Sequence, residues 1–307
     1  MRGRVIQSTG SWYEVLLDNQ TVISCRLKGK FRLQEKKITN PVAVGDIVEV
    51  DADEEGSSVI HTIAPRHNYL VREAPQKKEH THIIASNIDQ VLVIATLSKP
   101  RTSPGFIDRV LFMAEVYGIP ARVVFNKADL YTDKEMQLLE ERMDIYAHAG
   151  YPAFTTSAVS GENLEHLKEL LHDKTTLLTG HSGVGKSSLI NAIQPGLELR
   201  TGALSATHEK GQHTTTFARM LPLSMGGFIV DTPGIKEFGM VHVEAKEAGH
   251  YFPEIRKEMA GCRFHDCVHY NETNCAVKTA QEEGRFATER YLSYLSIYEE
   301  LLEKKPW

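Results

Sequence analysis

The chain of 307 residues has few of the features that mark membrane or secreted proteins. Its longest apolar run, around residues 91–95, is far too short to span a bilayer. No charged start followed by an apolar core indicates a signal peptide. Internal repeats and low-complexity segments are also absent from the sequence. We therefore expect a cytoplasmic protein that has no membrane partner.

The chain also has a small net charge and few cysteines. The formal net charge is −5, so a nucleic-acid partner would have to be met by a local basic patch. Three of the four cysteines lie between positions 262 and 275, which indicates a metal site rather than disulfides in a reducing compartment. The hydrophobic content of 41% is ordinary for a globular protein, and the length allows two or three domains.

Residues 1–66 predict an all-β domain. Short apolar alternations at residues 4–6, 13–17, 22–25 and 47–50 favour a small barrel, with an OB-type barrel as first choice and an SH3-like barrel as second. Residues 1–37 carry eight Lys or Arg against three acids, with Trp12, Tyr13 and Phe31 interleaved. This mixture fits contact with RNA, but a solvated barrel face with aromatic side chains in the core explains it equally well.

The middle of the chain predicts an α/β domain. Residues 66–87 are polar and rich in Lys and His, which is typical of a linker. Apolar strand runs then alternate with amphipathic helices, which implies a mostly parallel sheet covered on both faces. The predicted strands are residues 90–96, 121–125, 153–156, 175–179 and 228–231, and the predicted helices are residues 105–117, 133–149, 164–172 and 187–193. Ligands of such sheets bind at the carboxyl ends of the strands.

The most specific pattern is a phosphate loop, G-x-x-x-x-G-K-[ST], between a predicted strand and a predicted helix. Its backbone amides and the helix N-terminus would hold phosphates. Lys186 would reach the outer phosphates and stabilise transition-state charge, and Ser187 would hold Mg²⁺. The loop and its continuation are formed by Gly180, His181, Ser182, Gly183, Val184, Gly185, Lys186, Ser187 and Ser188.

A guanine-recognition pattern, N-K-x-D, follows a predicted strand as Asn126-Lys127-Ala128-Asp129. A carboxylate such as Asp129 can accept both N1–H and N2–H of guanine, whereas adenine does not offer that pair. Asn126 and the stem of Lys127 would brace the loop and cover the base. Backbone amides at Ser157-Ala158, after another strand, would support guanine O6.

Two switch-like segments complete the candidate nucleotide site. Asp231-Thr232-Pro233-Gly234 follows a strand, so Asp231 would hold Mg²⁺ through water and the Gly234 amide would contact the γ-phosphate. The segment 211–216 contains three threonines, of which Thr215 is favoured as the residue that closes over Mg²⁺. A β-branched start to the next strand explains each threonine taken singly, so the choice among them stays open.

Behind these motifs the pattern changes to a cysteine and histidine cluster. Cys262, Cys267, His269 and Cys275 offer three thiolates and one imidazole, a set suited to one structural Zn²⁺. His265 competes for the nitrogen position. A helix follows, whose stripe of Tyr291, Leu295, Tyr298 and Leu302 is interpreted as packing.

The order of the motifs is rotated relative to a Ras-like GTPase, because N-K-x-D and Ser157-Ala158 precede the phosphate loop and Asp231–Gly234. With the basic barrel ahead and the cysteine cluster behind, almost the whole chain resembles the circularly permuted, small-subunit-dependent GTPases of the RsgA type. The resemblance implies an OB barrel in residues 1–66, a permuted GTPase domain in residues 67–241 and an α-helical zinc domain in residues 242–307. It also implies a GTPase that the 30S ribosomal subunit stimulates late in that subunit's maturation.

The residue that positions the attacking water must lie elsewhere than directly after Gly234, where a Ras-type enzyme has it. Ile235 stands where a Ras-type enzyme has a water-positioning Gln, so intrinsic hydrolysis is expected to be slow. His213, just before the threonines, is the candidate water-positioner, and the resemblance points to the same residue. A loop histidine that contacts the partner is the alternative.

The motifs thus predict a GTP hydrolase, expected to be monomeric, that binds GTP and GDP with Mg²⁺. The family resemblance further implies that it contacts 16S rRNA and proteins of the small subunit. The alternative is an RNA-binding ribosomal adaptor with GTP as a structural or regulatory ligand and little turnover, a reading that Ile235 favours.

Overall fold

The computed structural model describes residues 1–27, 40–52, 58–74, 77–197, 199, 218–231 and 243–303. Five strands form the N-terminal barrel: β1 (Arg2–Ser8), β2 (Tyr13–Leu17), β3 (Val22–Leu27), β4 (Ile47–Ala52) and β5 (Ser58–Ile63). They run in the order β1-β2-β3-β5-β4, and β4 pairs with β1 to close the barrel. The β3–β5 pair is parallel and the others are antiparallel. This arrangement confirms the OB-type barrel over the SH3-like one.

The aromatic residues of the barrel divide between core and surface. Tyr13 is only 3% exposed and belongs to the barrel core with Val15 and Cys25, as the alternation of β2 dictates. Trp12 is 40% exposed, and the Arg26 guanidinium lies 4.2 Å from its ring centroid. The packing interpretation therefore holds for Tyr13, and an exposed cation–aromatic pair remains at Trp12. Phe31 and the cations at positions 28, 30, 32, 36 and 37 lie outside the described residues.

The predicted linker is wrong, because a hairpin occupies most of it: β6 (Tyr69–Ala74) pairs with β7 (Lys77–Ser86). The ends of the hairpin are apolar and buried, and the side chains of Leu70 and Ile83 there are each 2% exposed. Asn40 holds the hairpin to the preceding chain, since its Nδ2 donates to Ile83 O at 3.0 Å and its Oδ1 accepts from Ile83 N at 3.2 Å. The short apolar pieces of this segment, separated by Lys and His, are therefore the ends of strands and not parts of a linker.

The predicted alternation of strands and helices is confirmed with small shifts at the ends. The elements are β8 (Gln90–Ala95), α1 (Pro104–Val116), β9 (Ala121–Asn126), α2 (Asp133–His148), β10 (Ala153–Thr156), α3 (Leu164–Leu171), β11 (Thr175–Thr179), α4 (Lys186–Ile193), β12 (Arg219–Pro222) and β13 (Phe228–Asp231). Strands β9 and β10 are parallel, as are β11 and β13. Strand β12, like β5, was not predicted. It is antiparallel to β13 and also pairs with barrel strand β1 at Gln7 and Arg219.

Side-chain N-caps stabilise the first turns of helices α1 and α2. Ser103 caps α1 by accepting the Phe106 amide at 3.3 Å, and Pro104 occupies the first helical position, where no amide is needed. Helix α2 begins with a capping box, in which the Thr132 hydroxyl accepts the Glu135 amide and the Glu135 carboxylate accepts the Thr132 amide. Each helix start therefore fixes the loop that comes from the preceding strand.

The chain forms two compact units. The first consists of Met1–Val91, Glu165–Ser182 and Lys186–Val241, and the second of Leu92–Leu164, Gly183–Gly185 and His242–Trp307. The first unit thus holds the barrel, the hairpin, β11, α4, β12 and β13. The second holds most of β8, then α1, β9, α2 and β10, and the C-terminal helices.

The C-terminal helices are α5 (Pro253–Glu258), α6 (Ala276–Glu282) and α7 (Thr288–Glu303). The predicted packing of α7 is confirmed, but its buried stripe is shifted. Leu302 is 54% exposed, and the buried positions are Arg290, Tyr294, Ile297, Tyr298 and Leu301. Tyr298 belongs to both the predicted and the observed stripe. The shift arises because Arg290, a charged residue that hydrophobic periodicity does not count, is only 2% exposed. Among the described residues, no helix is long and apolar enough to cross a membrane.

Candidate functional site

The guanine-recognition loop begins where β9 ends, and Asn126 is its anchor. The Asn126 side chain is buried, and its Nδ2 donates to Val184 O of the phosphate loop at 2.8 Å. Its Oδ1 accepts from Thr156 Oγ1, at the end of β10, at 3.2 Å. Lys127 then turns the chain with a positive φ of 66°, and Asp129 lies in the short helical turn Ala128–Leu130. Asn126 therefore joins three loops of the second unit.

The close approach of Asn126 requires a glycine at position 185. Gly185 has a φ of +95°, and a Cβ there would collide with Asn126 Nδ2. Gly183, with a φ of +84°, lies against the ring of Pro100, whose Cδ would be 3.4 Å from an added Cβ. These two glycines of the pattern thus serve contacts with neighbouring loops as well as the turn itself.

The carboxylate that would select guanine is held by a serine. Ser157 is buried, and its Oγ donates to Asp129 Oδ1 at 2.5 Å. The same Oγ accepts the Val159 and Ser160 amides at 3.2 and 3.0 Å. The Ser157 amide donates to Glu162 O, which leaves Ala158 as the predicted amide for guanine O6. The sequence predicts a role for the backbone amide of Ser157, whereas in the structure its side chain orients Asp129.

Lys127 has a role that the sequence did not suggest. Its Nζ donates to Lys99 O at 2.6 Å, in the loop between β8 and α1. This loop contains no sequence motif, and the contact uses a backbone carbonyl, so the sequence does not predict it.

The first unit carries the residues expected at the phosphates. Lys186 Nζ donates to Gly180 O at 2.6 Å and to His181 O at 2.9 Å. Burial lowers the pKa of Lys186, and the charge of Asp231, at the end of β13, opposes part of that shift. A carboxylate and a cation are therefore near each other at the carboxyl ends of β11 and β13, as expected for phosphate and Mg²⁺ chemistry.

Ser187 lies in the first turn of α4, directly after Lys186. Its hydroxyl and the Asp231 carboxylate are hard oxygen donors of the kind that Mg²⁺ prefers. Ser182 and Ser188 are exposed and His181 is half-buried. His213, Thr215 and Gly234, together with the rest of both switch segments, lie outside the described residues.

In the second unit, four side chains that can hold a metal ion come together: Cys262, Cys267, His269 and Cys275, with all their ligand atoms within 4.8 Å of one another. Cys262 Sγ is 3.9 Å from Cys275 Sγ, and His269 Nδ1 is 3.6 and 3.4 Å from those two sulfurs. A tetrahedron with zinc–sulfur bonds of about 2.3 Å and a zinc–nitrogen bond of about 2.05 Å has edges of about 3.8 and 3.6 Å. Cys262, His269 and Cys275 therefore have the spacing of three corners of such a tetrahedron, and the Cys267 sulfur lies within 4.8 Å of each of them. His265 is exposed and is not part of this set.

The metal-ligand loop is held by groups outside the cluster. The Glu272 carboxylate accepts the Val268 and Tyr270 amides, on either side of His269, at 2.7 and 2.8 Å. Tyr291 Oη donates to His269 O at 2.6 Å. Nε2 of His269 is buried and has no hydrogen-bond partner among the described residues, so these backbone contacts orient the ring.

Two thiols of the cluster, those of Cys267 and Cys275, resist ionisation in the metal-free fold. Burial is the main cause that raises the pKa of Cys267 to about 12, and burial also raises the pKa of Cys275. Burial lowers the pKa of His269, which favours the neutral imidazole that binds metals. A divalent cation at the centre would convert the thiols to thiolates, because it supplies the positive charge that the cluster lacks.

This fold is that of a circularly permuted phosphate-loop GTPase. An OB barrel precedes a P-loop domain whose motifs occur in rotated order, and a cysteine cluster that could bind a metal follows. Comparison with known proteins makes the assignment specific.

The RsgA GTPase family profile matches residues 63–241, and the profile of the RsgA N-terminal domain matches residues 2–60. The chain therefore belongs to the RsgA GTPase family. This confirms the predicted family, and with it the predicted class of enzyme, a GTP hydrolase.

Relatives match over nearly their whole length. The small ribosomal subunit biogenesis GTPase RsgA of Bacteroides fragilis (strain YCH46) is 47% identical over 305 residues, which cover 99% of this chain and 98% of the relative. The protein of the same name from Christiangramia forsetii is 48% identical over 302 residues, covering 97% of this chain and 96% of the relative.

Two solved structures are similar as well. YjeQ from Thermotoga maritima has a TM-score of 0.82 and 38% identity, with 99% of both chains covered. YloQ, described as a circularly permuted GTPase, has a TM-score of 0.76 and 30% identity, with 100% of this chain and 96% of that one covered.

Proposed function

We propose that this protein hydrolyses GTP as a maturation factor of the small ribosomal subunit, and that the 30S subunit stimulates the hydrolysis. The single observation that carries the nucleotide part is the bond from Asn126 Nδ2 to Val184 O, which ties the guanine-recognition loop to the phosphate loop. The ribosomal part rests on the printed names of relatives with 47% and 48% identity. In this proposal the protein acts as a monomer in the cytoplasm and is organised as a barrel (1–66), a permuted GTPase domain (67–241) and a zinc domain (242–307).

At the base, Asp129 would accept N1–H and N2–H of guanine. Ser157 donates to one oxygen of Asp129 and so fixes the plane of the carboxylate before guanine binds. Asn126 and Lys127 would hold the loop, and the Ala158 amide would donate to O6. Adenine offers no matching donors, so these groups would select guanine.

At the phosphates, the amides of residues 180–188 would surround the oxygens, and Lys186 would turn its ammonium from the Gly180 and His181 carbonyls to the outer phosphates. Ser187, Thr215 and Asp231 would hold Mg²⁺, which supplies neutralising charge to the phosphate oxygens. The Gly234 amide would contact the γ-phosphate. His213 would position the attacking water, since Ile235 cannot hydrogen-bond to it.

The metal of the cysteine cluster would be Zn²⁺, because three thiolates and one imidazole in a closed tetrahedral set match its preferred ligands. With all four positions taken by the protein, this metal would support the fold rather than touch substrate.

Phosphate release from GTP, measured with and without purified small subunits, tests the proposal. We expect slow turnover alone, clear stimulation by the subunits, and no comparable activity with ATP. In His213→Ala, stimulated turnover should fall by about 100-fold, because a positioned general base or water ligand contributes that much, while GDP affinity stays unchanged. Absence of stimulated release in the unmodified protein would reject the hydrolase proposal in favour of an RNA-binding adaptor that holds GTP as a ligand.

A further inference from the structure

The loop between β8 and α1, residues 97–102, contains no sequence motif. Three contacts nevertheless join it to the guanine-recognition loop and to the start of helix α2. Lys127 Nζ donates to Lys99 O at 2.6 Å. Leu97 N donates to Tyr131 Oη at 3.1 Å. The Ser98 side chain hydrogen-bonds to Glu135, in the first turn of α2. All of these residues belong to the second unit.

Tyr131 is the centre of this network. Its Oη donates to Asn126 O at 2.6 Å while it accepts the Leu97 amide. One hydroxyl thus satisfies a carbonyl of the guanine-recognition loop and an amide of the β8–α1 loop. Burial raises the pKa of Tyr131 above its ordinary value, so the hydroxyl keeps the proton that it donates. Removing the oxygen would leave two backbone groups without this partner.

The β8–α1 loop can act as a brace because its own base is closed. Thr102 N donates to Thr96 O at 2.8 Å, and Thr102 Oγ1 accepts the Thr96 amide at 3.0 Å. Both threonines are buried, and the Thr96 hydroxyl donates to Pro100 O inside the loop. Pro100 in turn lies against Gly183 of the phosphate loop. The loop therefore contacts both motif loops from a fixed base.

We propose that Tyr131 is a positioning residue for guanine recognition, which acts by holding the Asn126 carbonyl against the β8–α1 loop. This inference rests on the proposed function, since it names what holds the base-selecting loop in place. Asp129 must meet two base donors at once, and such hydrogen bonds weaken steeply when misaligned. A small loosening of the loop should therefore reduce selection of the base more than contact with the phosphates.

The test uses the full-length protein with Tyr131→Phe, which removes only the hydroxyl. The dissociation constants of GDP and of inosine diphosphate, which lacks the N2 amino group, are measured by calorimetry. We expect the Kd of GDP to rise roughly tenfold, the effect of one lost backbone-bridging hydrogen bond. The preference for GDP over inosine diphosphate should fall severalfold. The kcat at saturating GTP should change less than about twofold, because the phosphates are not contacted.

Tyr117→Phe is the matched control. It makes the same change at the C-terminal end of α1, about 20 Å along the helix from the β8–α1 loop, and should leave both affinities unaltered. Ser98→Ala removes a more exposed contact of the brace and should raise the Kd of GDP two- to threefold. It carries the test if Tyr131→Phe does not fold.

The outcomes separate this inference from the function on which it rests. Unaltered GDP affinity and base preference in folded Tyr131→Phe, beside normal binding by the unmodified protein, would overturn the positioning role. A lower melting temperature without a change in base preference would also overturn it, because it would show a purely structural contact. Failure of the unmodified protein to bind GDP would instead reject the proposed function.

Discussion

Two buried polar clusters in the second unit, one around Arg290 and one of three cysteines and a histidine, differ in whether the chain itself supplies both signs of charge. Around Arg290, opposite charges meet: Nη1 donates to Asp108 Oδ1 and Nε to Glu254 Oε1, both at 2.6 Å. At Cys262, Cys267, His269 and Cys275, four ligand atoms face one another, and the cluster contains no positive charge of its own. In the Arg290 cluster the chain supplies both signs of charge, whereas the cysteine cluster has the composition of a site for an added cation.

The pKa values follow the same division. Burial alone would lower the pKa of Arg290, but the attraction of Asp108 and Glu254 outweighs it and raises the pKa above its ordinary value. The guanidinium also lies 5.0 Å from the ring centroid of Phe252. In the cysteine cluster burial prevails and raises the pKa of Cys267 and that of Cys275. Buried ionisable groups thus indicate a ligand site only where the chain has not supplied the opposite charge.

The largest test of this contrast is Arg290→Met, which keeps most of the side-chain volume and removes the charge. Asp108 and Glu254 would then be buried without a counterion, so we expect the free energy of unfolding to fall by about 3–5 kcal/mol. Denaturant titration followed by circular dichroism measures the loss.

Arg285→Met is the control for this change. Arg285 pairs with Glu283 and Glu258, but its side chain is 44% exposed, so its loss should cost less than about 1 kcal/mol. Equal destabilisation by the two variants would contradict the distinction between a closed buried cluster and surface ion pairs.

The second test adds a metal ion to the cysteine cluster or removes one of its ligands. Zn²⁺ at a hundred times its Kd should stabilise metal-stripped protein by about 2.7 kcal/mol, since it binds only the folded form. Cys275→Ser should lose both the bound metal and this gain, as measured by metal analysis and thermal unfolding.

Cys25→Ser provides the comparison for the metal, because Cys25 lies in the barrel core and burial raises its pKa to about 11. It should keep one metal per chain. Zinc-free native protein with unchanged stability would show that the cysteine cluster is closed by packing, like the Arg290 cluster, and needs no cation.

The smallest expected effect concerns Glu272, the acid that supports the metal-ligand loop. Burial would raise its pKa, but hydrogen bonds from the Val268 and Tyr270 amides outweigh burial and hold the pKa below its ordinary value of 4.5. Glu272→Gln should cost about 1 kcal/mol near neutral pH, because one charge-assisted bond is lost.

A depressed pKa in the folded state stabilises the fold above pH 4.5, and the contribution disappears as the pH falls through the folded-state pKa. The stability difference between the unmodified protein and Glu272→Gln should therefore close in acid. A difference that stays constant down to pH 3 would show that the carboxylate charge does not act on this loop.

The two clusters also show what could be predicted from the sequence. The cysteine cluster, like the N-K-x-D and phosphate-loop patterns, is defined by residue types at short spacing, so the local chain reveals it. Arg290 has its partners 182 and 36 residues away, and only the folded chain brings them together. The contacts of the β8–α1 loop with Tyr131 and Lys127 could not be predicted for the same reason, since they use backbone groups of Leu97 and Lys99, which belong to no sequence motif.

The pairing of Gln7 with Arg219 has a mechanical consequence. The first strand of the OB barrel is hydrogen-bonded to β12, the strand that follows the threonine-containing segment 211–216 and precedes β13 and Asp231. Barrel strand β1 and strands β12, β13 and β11 are therefore hydrogen-bonded neighbours, in that order, within the first compact unit. A load on the barrel would therefore pass through this pairing to β12 and on to β13, which ends at Asp231.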